Sequence, residues 1–141
     1  MKTFVVLAVS VVLVSILFCP VMMAAPPSMP TDLQIVQPDP SLPKELSAFF
    51  GKWESTSAQS QQFVIVEKID EEKASVCIWR GGLWPEGTPT GWERVEAKVI
   101  NERGKYKLWF QARWGKIEYA LKGEYLVSSS PIGSSNLRRV P

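Results

Sequence analysis

All six tryptophans of this 141-residue chain fall between Trp53 and Trp114, and the chain has no histidine. Without histidine the commonest general base and the commonest metal ligand are both missing. No Ser-His or Cys-His pair can form. Two cysteines, Cys19 and Cys77, cannot build a disulfide framework or a four-cysteine zinc site. Glu86 and Glu93 flank a tryptophan-bearing loop, but a paired-carboxylate hydrolase needs two acids facing across a cleft. A carboxylate enzyme is therefore only the third alternative, and no catalytic residue, metal or cofactor is expected. Nothing has the glycine pattern of a nucleotide loop. The chemistry left is that of aromatic rings, which stack on sugars or on apolar ligands.

The richest segment is Gly81-Gly82-Leu83-Trp84-Pro85-Glu86-Gly87-Thr88-Pro89-Thr90-Gly91-Trp92, with Trp79 just before it. Its glycines and prolines prevent a regular strand. Trp79, Trp84 and Trp92 are the expected ligand contacts, with Arg80 and Glu86 as polar partners. Tyr106, Phe110 and Tyr119, from later strands, complete the expected binding set. The structural alternative is a loop that folds back so that Trp84 plugs the domain. Trp109 stands apart, on the polar side of its strand between Lys107 and Gln111, where it either covers a neighbouring strand or joins an external patch.

The elements that would hold these residues are strands. In Tyr106–Trp114 the residues Tyr106, Leu108, Phe110, Ala112 and Trp114 share one face, and Lys107, Gln111 and Arg113 the other. Val95, Ala97 and Val99 alternate with Arg94, Glu96 and Lys98; Ile117, Tyr119 and Leu121 alternate with Lys116, Glu118 and Lys122. This period of two, with one dry and one wet face, is that of an antiparallel sheet. Further strands fit Gly51–Ser57, Phe63–Ile69, Ala74–Arg80, Glu124–Ser128 and Ser135–Val140. Asn101-Glu102-Arg103-Gly104, Gly115 and Gly123 supply turns, and Pro43–Phe50 a short helical turn. About eight strands in up-and-down order predict an all-β protein, closed into a barrel to hide its edges. A barrel of that size is filled by side chains or holds one small ligand. Cys77 is expected to be an unpaired strand residue.

Phe49-Phe50-Gly51-Lys52-Trp53 opens the first strand, and Asn136-Leu137-Arg138-Arg139-Val140 closes the last. With the Gly91-Trp92 pair in mid-chain, this pattern resembles the calycin superfamily, in particular small bacterial lipocalin-like secreted domains. The resemblance covers residues 44–140. It implies that Gly51 and Trp53 close the barrel floor, with Arg138 or Arg139 packed on the tryptophan. It also implies a small apolar or amphipathic ligand in the barrel or at its tryptophan-lined mouth. The alternative is a cell-envelope module that binds glycans or proteins through surface tryptophans (Trp84, Trp92 and Trp109). The first needs room inside; the second needs exposed rings.

Three segments are expected: a head at residues 1–25, a proline-rich linker at 26–43 and the barrel domain at 44–141. Residues 4–25 carry no charge and follow Lys2, the pattern of a signal peptide or an N-terminal membrane anchor. The protein is therefore expected to be exported, periplasmic or extracellular, with membrane anchoring through residues 4–25 if the head is retained. Six prolines between Pro26 and Pro43 predict an extended spacer without helix or strand. A net charge of +2, from 16 basic and 14 acidic residues, gives no footprint for nucleic acid.

Overall fold

The computed structural model describes residues 27–57, 60–82, 84, 86, 88 and 91–141. The expected head at 1–25 lies outside the described residues. Among those described, no helix is long and apolar enough to cross a membrane.

Eight antiparallel strands form a closed barrel in chain order: β1 (Gly51–Ser55), β2 (Ser60–Ile69), β3 (Lys73–Gly82), β4 (Gly91–Glu102), β5 (Lys105–Ala112), β6 (Gly115–Lys122), β7 (Tyr125–Ser130) and β8 (Gly133–Val140). Each strand pairs with the next, and β1 pairs with β8 through Trp53 opposite Arg139. Alternation decides which side chains point in. Val64, Val76, Ala97, Leu108, Ile117 and Leu126 are all buried and fill the core. Closure leaves no strand edge without a partner. The turns follow the same economy: Arg103 and Gly104 both have positive φ, and Asn101 Oδ1 accepts the Gly104 N–H at 2.8 Å.

Helix α1 (Lys44–Ser47) enters from one end and drops Leu46 and the following Phe49 onto the core. Trp53 seals that floor at 2% exposure, its indole N–H donating to Phe49 O at 2.9 Å. Of the two arginines expected as its partner, Arg139 takes the position, its guanidinium carbon 4.3 Å from the ring centroid. Arg139 also donates to the carbonyls of Phe50 and Ala48, tying helix to barrel. Arg138 points outward and meets Glu54 at 3.3 Å. Gly51 has φ +118°, a conformation that favours glycine, and a Cβ there would press on Arg139 Nη1 at 2.7 Å.

The proline-rich segment is extended but not free of the barrel. Val36 N–H donates to Glu67 O (2.8 Å) and Gln34 N–H to Glu67 Oε1 (3.0 Å). The register of β2 on β3 shifts between Val66 and Lys68, so Glu67 occupies a β-bulge. Its carboxylate, 1% exposed, also accepts from Ser75 Oγ and from Arg94 Nε and Nη2. Arg94 reaches on to Asp32 of the strap at 3.0 Å. The Arg94 guanidinium holds the Glu67 and Asp32 carboxyls below the usual carboxylate range, although burial opposes it at Glu67. Alternation in the 27–43 segment says nothing of this anchor, because its contacts are isolated ones made to barrel residues far along the chain.

Candidate functional site

Outside the Trp53 floor lies an open cleft of about 550 Å³ lined by Leu121, Tyr125, Arg138 and Arg139; the inward polar groups lie at the opposite end, where β2 and β4 begin and β3 ends. Three inward positions there are polar. Gln62 and Arg80 face each other across β2 and β3, and Glu93 is the partner of Ile78 on β4. Arg80 Nη1 donates to Glu93 Oε2 at 2.8 Å, with the arginine side chain 2% exposed and the glutamate 33%. Gln62 Nε2 donates to the Tyr119 hydroxyl at 2.9 Å. Ser128, its register partner on β7, faces the same hydroxyl. A polar chain thus runs from β2 through β6 to β7 inside an otherwise apolar barrel.

Two tryptophans cover Arg80. The Trp84 ring centroid lies 5.7 Å from the guanidinium carbon and that of Trp114 6.0 Å, and the two rings are 6.0 Å apart with planes tilted by 41°. Trp84 is held by its indole N–H, which donates to Gly81 O at 2.7 Å. Trp84 itself therefore lies over Arg80 and against Trp114. On its flank lies a cleft of about 160 Å³ lined by Trp84, Ile132 and the hydroxyls of Ser128, Ser130, Ser134 and Ser135. Ser128 borders both the cleft and Tyr119 of the polar chain.

The residues expected to bind ligand divide into three groups. Trp84, Phe110 and Tyr119 come together at this end, with the Phe110 and Tyr119 rings 6.2 Å apart. Tyr106, the second residue of β5, shares the inward face but lies toward the floor. Trp79 and Trp92 are paired across β3 and β4 on the outer wall, because their parity is opposite to that of Arg80 and Glu93. Trp79 packs edge-on against Phe63 and over Gly81, where a Cβ would lie 2.3 Å from the ring. Trp92 donates its N–H to Ser28 O of the strap at 2.9 Å. Glu86 is exposed. Trp109 lies on another part of the wall, with Lys98 Nζ at 5.5 Å and Lys116 Nζ at 5.1 Å from its ring. The surface tryptophans therefore do not converge on one patch.

Sequence patterning missed Gln62, Trp114 and Ser128 as members of this site. Gln62 precedes the apolar run that marks β2, yet it has the same parity as Val64 and Val66, and that parity was the available signal. Cys77 is an unpaired thiol in the outer face of β3, and burial pushes its pKa up, which makes it a poor nucleophile. Among the described residues, no group of three or more acids and cysteines is placed to hold a metal ion.

Tyr119 is fully buried, and loss of hydration pushes its pKa up to about 12. A folded value above the unfolded one, about 10, gives stability that is whole below pH 10 and lost as pH rises through 12. Wild type is thus expected to lose about 2–3 kcal/mol across that window through this group alone. Tyr119→Phe should cost about 1–2 kcal/mol at pH 7, where Gln62 Nε2 loses its acceptor, and should flatten the alkaline slope. Urea midpoints of the two proteins at pH 7, 10 and 12 test this; parallel slopes would refute it.

Comparison with protein-family models, with curated proteins and with solved structures finds no match to this chain.

Proposed function

We propose that the protein is an exported, non-enzymatic barrel of calycin type. It binds a small amphipathic molecule at the Trp84 end, with the polar head toward Arg80 and the body against Trp84 and Trp114. The observation that carries this is Arg80, a cation buried under two indoles beside the Tyr119–Gln62–Ser128 chain. Burying a charge is costly even when it is paired, as Arg80 is with Glu93, and a buried cation beside convergent polar groups and aromatic rings has the make-up of a binding site. The calycin relationship is supported by the packing of Arg139 on Trp53 beneath the opening helix. Export is supported by the uncharged run at residues 4–25.

The dimensions narrow the ligand. The floor and middle of the barrel are filled by Leu46, Phe49, Trp53, Leu108, Ile117 and Leu126. A cleft of 160 Å³ is well below the roughly 300 Å³ at which pockets for drug-sized ligands begin. The ligand is therefore compact, and it sits at the mouth rather than deep in the barrel.

Titration of the full chain with 3-phenylpropanol and 3-phenylpropanoate, followed by tryptophan fluorescence, tests the proposal. A saturable change with at least one probe is expected, reduced at least tenfold in affinity by Trp84→Ala. No saturable change with either probe, or an unaltered response in Trp84→Ala, would overturn it.

A further inference from the structure

Gln62 and Arg80 are direct cross-strand partners, and both point into the barrel. Such neighbours have Cβ atoms about 4.5–5.5 Å apart, so one small group can touch both. Among the described residues, three of their buried polar atoms have no hydrogen-bond partner: Gln62 Oε1, Arg80 Nε and Arg80 Nη2. Gln62 is 1% exposed and the Arg80 side chain 2%. Each such atom costs free energy in a fold unless something answers it.

The identity of the three atoms defines their complement. On a guanidinium, Nε–H and Nη2–H lie along one edge and point the same way. Glu93 takes the other end, through Nη1. The open edge is thus a parallel pair of donors, which fits the two oxygens of a planar carboxylate. Gln62 Oε1, beside it, is an acceptor and calls for an O–H or N–H. A phosphate would also fit the fork, but its second negative charge would be opposed by Glu93.

We infer that the head group taken at this end is a carboxylate with a hydroxyl or amide N–H on the adjoining carbon, as in a 2-hydroxy acid or an N-acylated amino acid. The carboxylate spans Arg80 Nε and Nη2, and the adjoining donor bonds to Gln62 Oε1. The phenyl or alkyl body of such an acid lies toward the Trp84 cleft. This inference rests on the proposed binding at the mouth and adds its chemical class.

The test compares four probes that share one body: 3-phenylpropanoate, its 2-hydroxy derivative, 3-phenylpropanol and 3-phenylpropylammonium. Affinities for the full chain and for Arg80→Lys, Arg80→Gln and Gln62→Leu are read by tryptophan fluorescence, with thermal unfolding as a check on folding. The acids are expected to bind about ten- to a hundredfold tighter than the alcohol, and the ammonium most weakly. The 2-hydroxy acid should gain a further several-fold, a gain absent in Gln62→Leu. Arg80→Lys keeps the charge and removes the fork, so it should lose most of the preference for acids while still binding the alcohol. Arg80→Gln should do the same where it folds.

Equal affinity for acid and alcohol would overturn the inference while leaving binding at the mouth intact; it is the result expected if solvent alone serves these three atoms. A preference for acids unchanged in Arg80→Lys would overturn the role of the fork. A hydroxyl that adds nothing would overturn the role of Gln62. Failure of every probe would remove the proposed function as well.

Discussion

Replacing Trp53 by alanine is expected to lower the unfolding free energy by about 3–5 kcal/mol, the range for truncating a large buried aromatic. Trp53 is 2% exposed and belongs to the main core cluster, so its removal opens a void that helix α1 cannot fill without moving. It also leaves the guanidinium of Arg139 without its ring, although the bonds to Ala48 and Phe50 remain to hold it. Trp53→Phe restores part of the packing but not the N–H bond to Phe49 O, and should fall between the two. Urea unfolding followed by circular dichroism gives the comparison free of changes in tryptophan emission. A loss below about 1 kcal/mol for the alanine variant, the scale of an ordinary surface substitution, would show that the floor does not depend on this ring.

Glu67→Ala is the second large effect, expected at about 2–4 kcal/mol. Breaking a fully buried pair costs about 3–5 kcal/mol, and the value is discounted because the Arg94 side chain is 38% exposed and partly screened. The loss leaves the donors of Gln34, Ser75 and Arg94 without their acceptor. The pH dependence follows from the lowered pKa of Glu67. Since the folded value is below the unfolded one, the stabilisation is complete above the ordinary glutamate range and is lost as pH falls through the folded value. The difference in urea midpoint between wild type and Glu67→Ala should therefore be wide at pH 7 and narrow toward pH 3. Hydrogen exchange at Gln34 should accelerate in the variant. A difference that does not change with pH would mean that packing, not the charge, accounts for the cost.

The two residues also mark how far the sequence could be read. Trp53 was legible through the resemblance of Phe49-Phe50-Gly51-Lys52-Trp53 to a calycin opening, which implied its place at the barrel floor. Choosing Arg139 over Arg138 was not legible, since adjacent residues differ only in which face of β8 they occupy, and that depends on the register with β1. Glu67 follows the apolar run Phe63–Val66, and its side-chain type carries no sign of burial. The bulge that buries it arises from a mismatch between β2 and β3, and no local pattern announces it. Trp79, Trp84 and Trp92 cluster in sequence, yet Trp84 lies at the mouth, while the parity of two strands sends the other two to the outer wall.

By itself the sequence determined the eight-strand meander and its up-and-down order, because alternation and turn residues act over a few positions at a time. The absence of histidine, and with it of the commonest catalytic base, was equally plain from composition. Only the tertiary structure decided where the buried charges meet. Gln62, Arg80, Glu93, Tyr119 and Ser128 come from five different strands, and nothing short of barrel closure and register brings their polar atoms together. The tethering of the proline-rich strap was settled at the same level, by side chains whose partners lie 33 and 62 positions away.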